Sequence, residues 1–116
     1  MKIALFLVTL MALGPALAAD KCVALYRKVE NNQTIEKTVE MKATYDDKFW
    51  LRLEADILEM GYVALFEKGT NRAQVTVSRG PAYTEGAITN TTYNDEGRFT
   101  QALVLNNIVG KITCTK

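Results

Sequence analysis

The chain has no histidine among its 116 residues, a single serine, and only two cysteines. Without histidine it lacks the commonest general base and the commonest zinc or copper ligand. Ser-His-Asp and Cys-His nucleophile systems are therefore unavailable. The one serine, Ser78 in "TVSRGP", lies outside any G-x-S-x-G elbow and reads as a strand end. The seven glycines are scattered, so no phosphate-cradling loop is present. Acidic and basic residues are interspersed, with no like-charge run longer than pairs such as Asp46-Asp47 or Asp95-Glu96. A nucleic acid or an anionic membrane needs a basic stripe, so neither is expected as a partner. No catalytic residue, metal site or cofactor is expected.

What is present begins with "MKIALFLVTLMALGPALAAD". Lys2 is a short positive region, Ile3 to Leu13 is uncharged and apolar, and Gly14-Pro15 breaks the run before small residues. This is the layout of a secretory signal peptide, with Ala16 and Ala18 at the small-residue positions and cleavage expected after Ala18. The apolar run stops well short of the roughly 20 residues needed to span a bilayer. Segment 1–18 is thus read as the signal and 19–116 as one domain that is soluble and secreted or periplasmic. Removing 18 of 116 residues leaves 98, and the loss of Lys2 leaves 13 basic against 13 acidic residues, a net charge of zero. The brief single-lysine leader has a bacterial style, in which case the "NQT" and "NTT" sequons at Asn32 and Asn90 are ordinary turn residues.

The two cysteines lie near opposite ends of the chain, in "ADKCVALYRK" and "KITCTK". In an oxidising compartment two thiols of one small domain pair, and the only possible bridge is Cys22–Cys114. Closing a loop of about 90 residues is worth roughly 4–5 kcal/mol in the chain-entropy model. The bridge requires the first and last structured segments to be neighbours.

Between the cysteines the pattern is that of strands separated by turn residues. "CVALYRKVE", the turn "ENNQ" with Asn31-Asn32 suited to positive φ, and "TIEKTVEMKATYD" read as an antiparallel hairpin. In the second strand Ile35, Val39, Met41, Ala43 and Tyr45 share one parity and are expected to be buried. "RAQVTVSR" places Ala73, Val75 and Val77 inward, and "YVALFEKG", apolar on both faces, is expected to be a central strand. The segment 47–60 also carries a helical stripe, but its alternation continues the strand pattern on both sides and favours a strand with Phe49, Leu51, Leu53, Ala55 and Ile57 inward. "NDEG" is read as a hairpin turn and Gly110 as a bulge. The expected fold is all-β: a single small antiparallel sandwich or barrel of about eight strands with its termini joined by one disulfide.

Carboxylate pairs are the remaining source of catalysis. On a strand, Glu54 and Asp56 would face one way about 7 Å apart, near glycosidase spacing. Solvated alternate positions give the same picture, so the chain is not expected to be an enzyme, and a carboxylate-dependent glycosidase ranks third among its readings. Binding is the leading expectation: a non-enzymatic binding or structural role in the bacterial envelope, with a protein or a glycan as partner. The candidate contacts are Trp50, which must point away from the core if its neighbours point in, Arg79 and Tyr83 around the proline turn, and Tyr93 before "NDEG". In "SRGPAY", Ser78, Gly80 and Tyr83 are loosely similar to the Ser-Gly-Tyr loop of small bacterial periplasmic lysozyme inhibitors, with Pro81 interrupting the match. That resemblance covers a few residues and implies, as an alternative, an inhibitor of a secreted hydrolase.

Overall fold

The computed structural model describes residues 20–81 and 85–116. The expected signal segment 1–18 and the candidate contact Tyr83 lie outside the described residues. Those described form nine antiparallel strands and no helix. They are β1 (Lys21–Glu30), β2 (Gln33–Glu40), β3 (Lys42–Asp46), β4 (Trp50–Ile57), β5 (Met60–Glu67), β6 (Arg72–Arg79), β7 (Glu85–Thr92), β8 (Arg98–Leu105) and β9 (Ile108–Thr115). One sheet has four strands in the order β2-β1-β9-β8, and the other is a five-stranded meander, β3 to β7 in chain order. The ambiguous segment 47–60 is a strand, and β5 is the middle strand of its sheet, as its apolar sequence implies.

Period-two patterning sets the core. Leu51, Leu53 and Ile57 of β4, Ala64 and Phe66 of β5, and Ala73, Val75 and Val77 of β6 all point inward and are buried. They meet Cys22, Ala24 and Tyr26 of β1 and Ile108 and Ile112 of β9 in one cluster shared by both sheets. Each large side chain removed from water in this way contributes about 1.5–3 kcal/mol.

The first and last strands pair directly at the centre of the four-stranded sheet, with Cys114 opposite Cys22. The two cysteines are bonded, their Cα atoms are 4.1 Å apart, and both are fully buried. Asn31 and Asn32 both take positive φ in the β1–β2 turn, as their sequence suggests, because a two-residue hairpin that follows strand twist needs that conformation.

Several expectations are corrected. The run "TIEKTVEMKATYD" is not one strand: it breaks at buried Met41, where the chain crosses from one sheet to the other. β2 and β3 are edge strands of different sheets, and every residue in both is exposed, including Ile35 and Val39. Ile35 and Val39 do lie on the inner face, opposite Lys28 and Ala24, but no strand of the other sheet covers them fully. A bulge between Ala43 and Tyr45 then shifts the register of β3 and turns Tyr45 to the outer face. Phe49 lies before the strand begins and is exposed. "NDEG" joins β7 to β8 across the two sheets and does not close a hairpin. The Asn94 side chain accepts from the Glu96 and Arg98 amides there, and Gly97 takes φ +72°. Asn90 sits within β7, not in a turn.

Gly110 is not a bulge either, since the register of β9 is unbroken on both sides of it. It faces the opposing sheet. A Cβ placed there would lie 2.8 Å from Val77 Cγ1 and 3.0 Å from Met60 Cε, so glycine lets the sheets approach where any side chain would hold them apart.

Candidate functional site

The outer face of the five-stranded sheet carries two exposed aromatics, Tyr45 and Trp50, and Asp47 orders the turn between them. Asp47 begins the three-residue connection between β3 and β4. Its Oδ1 accepts from the amides of Phe49 (2.8 Å) and Trp50 (2.7 Å), and its Oδ2 accepts from the Tyr45 hydroxyl (2.7 Å). The Tyr45 hydroxyl and then the two amides hold the Asp47 carboxyl below its ordinary value, and the same contact pushes the Tyr45 phenol up. The Phe49 carbonyl accepts from the Lys68 amide across the sheet at 2.8 Å, and the Lys68 ammonium pairs with Asp46. One aspartate thus fixes the backbone that leads into Trp50 and anchors the Tyr45 ring by its hydroxyl. Tyr45, Phe49 and Trp50 keep 53%, 60% and 41% of their surface exposed. An exposed cluster of large rings is informative in a way that a single exposed apolar residue is not.

Trp50 separates two concavities. The larger, about 670 Å³, is walled by Trp50, Leu65, Glu67, Arg72, Gln74 and Asn90 among others. The smaller, about 420 Å³, is walled by Trp50, Leu65, Thr44, Tyr45, Arg52 and Glu54. Their charges are paired off locally: Arg72 with Glu67 at 2.7 Å and Arg52 with Glu54 at 2.9 Å. The Gln74 amide donates to the Asn90 side-chain oxygen at 3.3 Å.

The three described candidate contacts, Trp50, Arg79 and Tyr93, are not brought together. Trp50 points outward, beside Arg52 and Glu54 on the same face. Arg79 lies at the other end of the sheet, seven residues along β6 from Arg72, or roughly 23 Å of extended chain. Its guanidinium is committed to Glu85 at 2.5 Å. Tyr93 is corrected from surface contact to core residue: it is 8% exposed, stacks on Phe66 (ring centroids 6.0 Å apart), and donates its hydroxyl to Asp20. Burial, then that bond to an anion, pushes the Tyr93 phenol well above its ordinary range. Tyr26 and Tyr62 are likewise core residues, with hydroxyls donated to Glu59 and to the Leu25 carbonyl, both at 2.8 Å. Burial, and then the bond to Glu59, raises the Tyr26 phenol to about 12.

Tyr45 is the site residue that parity alone assigns to the wrong side. The local signal is Asp47, since an aspartate two and three residues before the Phe49 and Trp50 amides is an Asx-turn pattern that ends the strand. Glu54 and Asp56 project from the same face, as alternation requires, but Glu54 Oε2 is already occupied by Arg52 and, at 2.6 Å, by the Thr44 hydroxyl. Among the described residues no group of three or more acidic or cysteine side chains is placed to hold a metal.

No protein-family model, curated protein sequence or solved structure matches this chain.

Proposed function

We propose that this is an exported, non-enzymatic binding domain of the bacterial envelope that works through the outer face of its five-stranded sheet. The observation that carries the reading is the pair Tyr45 and Trp50, exposed on that face on either side of the Asp47 turn and together walling the concavity beside the indole. Rings fixed by a turn lose little conformational freedom on binding, and tryptophan, tyrosine and arginine dominate the energetics of recognition surfaces. A rigid sheet bearing a short ordered connection is the usual carrier of such a surface. The non-enzymatic reading is supported by the lack of histidine, the disulfide that consumes both thiols, and the engagement of Glu54 by Arg52 and Thr44. Export is supported by the leader pattern and by a disulfide that reducing compartments would not favour.

The surface assignment is tested by comparing retention of the purified domain on an immobilised envelope fraction for wild type, Trp50→Ala, and Leu58→Ala at the far end of the sheet. Loss with Trp50→Ala alone supports the assignment. Equal retention of Trp50→Ala and wild type removes it. Export is tested by sequencing the N-terminus of the processed chain, which is expected to begin at Ala19.

A further inference from the structure

We infer that the groove crossed by Trp50 takes a neutral oligosaccharide, a ligand class that rests on the binding reading above and narrows it. The register of the sheet supplies the geometry. Tyr45 is opposite Arg52, Arg52 opposite Leu65, Leu65 opposite Gln74, and Gln74 opposite Asn90. These five outward residues form one row running straight across the strands. Four inter-strand steps make the row about 19 Å long, which suits a chain of several sugar rings and exceeds one ring. Two positions along the strands lies a second row, Trp50 opposite Glu67 and Arg72 opposite Thr92, joined by the Glu67–Arg72 ion pair. The concavities on either side of the indole lie along these rows and share Trp50 and Leu65.

The chemistry of the walls narrows the occupant. Two guanidinium groups and two carboxylates line the two concavities, and each guanidinium is matched by its own carboxylate within 2.9 Å. Each pair is neutral as a unit, so an anionic ligand meets a carboxylate beside each guanidinium and a cationic one meets a guanidinium beside each carboxylate. Neither charge sign is favoured. The apolar part is narrow, the Trp50 and Tyr45 rings with Leu65 and Ala73 between the strands, and it is set among hydroxyls and side-chain amides. A protein partner needs a broader dry centre than this. A pyranose ring presents C–H groups on one face and hydroxyls around its rim. The C–H face suits the electron-rich indole, and the hydroxyls suit planar amide, carboxylate and guanidinium groups that donate or accept in pairs. Gln74 and Asn90 spend one donor and one acceptor on each other, and each amide has further hydrogen-bonding capacity.

Trp50 is the only tryptophan in the chain, so intrinsic tryptophan emission reports on the groove directly. Titration with cellotetraose and with chitotetraose is expected to give a saturable change in intensity or emission maximum for at least one of them. A sulfated tetrasaccharide is expected to give none, or a much weaker one. By calorimetry, Trp50→Ala is expected to weaken binding roughly ten-fold or more. Asn90→Ala is expected to weaken it less, and Leu58→Ala to leave it unchanged. Thermal melts of the variants establish that each remains folded. Absence of a saturable response to both neutral tetrasaccharides overturns the inference, as does equal or tighter binding of the sulfated one, or binding indifferent to Trp50→Ala. If the neutral sugars fail while envelope retention still depends on Trp50, the ligand class is wrong and the surface assignment stands. If retention does not depend on Trp50, the surface assignment itself falls.

Discussion

Replacing Gly110 with alanine tests a point of close contact between the two sheets. Backbone conformation does not oppose the change, because Gly110 is not among the residues with positive φ. By itself the substitution would stabilise by about 0.4–1 kcal/mol, through the reduced freedom of the unfolded chain. The added methyl, however, would sit 2.8 Å from Val77 Cγ1, 3.0 Å from Met60 Cε and 3.4 Å from Tyr62 Cε2, against an optimal carbon–carbon separation of about 3.5–4.0 Å. Met60 can swing its terminal carbon aside. Val77 cannot, being β-branched and held in β6 with 3% of its surface exposed. Overpacking of this kind costs about 1–3 kcal/mol, so the net expectation for Gly110→Ala is a loss of about 1–2 kcal/mol. The midpoint of urea unfolding, with the disulfide intact, should fall at unchanged m-value, and the melting temperature should drop about 4–8 °C per kcal/mol. Val77→Ala alone leaves a hole and is expected to cost about 2 kcal/mol. Combined, the two changes should cost at least about 1 kcal/mol less than their sum, because the new methyl occupies the vacated space. A neutral or stabilising Gly110→Ala, or a double variant additive within about 0.5 kcal/mol, would refute the close-approach argument.

Three further outcomes are expected. Cys22→Ala combined with Cys114→Ala should cost roughly 4 kcal/mol by urea unfolding, in keeping with a sequence separation of 92, and a loss under about 1 kcal/mol would deny the bridge its stabilising role. Leu58 holds φ +54° at the exposed β4–β5 turn, a conformation that costs a leucine roughly 1–2 kcal/mol, so Leu58→Asn should raise stability by about 0.5–1 kcal/mol, read as a higher urea midpoint. The carboxyl of Asp47 is depressed in the folded chain, so its contribution to the aromatic turn is complete above the ordinary aspartate value and is lost only as pH falls through the depressed one. Trp50 emission should therefore show an acid step below the usual carboxylate range. Asp47→Asn, which keeps an acceptor for the two amides but cannot titrate, should lack it.

How far the sequence revealed these features depends on what side-chain parity encodes. Parity tells which residues share a face of a strand, and in β4 and β6 that was enough: Leu51, Leu53, Val75 and Val77 are where alternation puts them. The terminal pairing also followed, because two cysteines in an oxidising setting leave one solution. Parity does not tell whether a face is covered. Ile35 and Val39 alternate as cleanly as any core residue, yet they sit on an edge strand and remain 42% and 38% exposed. Nor does parity survive an inserted residue, and one bulge after Ala43 was sufficient to send Tyr45 to the outer face. Trp50 was legible because its flanking residues fixed its direction. The two rows that surround it were not, since Gln74, Asn90 and Arg72 are ordinary wet-face residues until the register of five strands sets them abreast. Gly110 and Tyr93 depended on the opposing sheet, and a single sequence carries no record of which residues meet across a core.

The sulfur clasp also governs how the domain responds to being pulled. Beyond Cys22 and Cys114, only Asp20, Lys21, Thr115 and Lys116 of the described chain lie outside it. Tension applied at the two extremities runs into a covalent link before it reaches the hydrogen-bonded ladders, so the oxidised domain is nearly inextensible. Reduction would release a thread of roughly 300 Å from the same object.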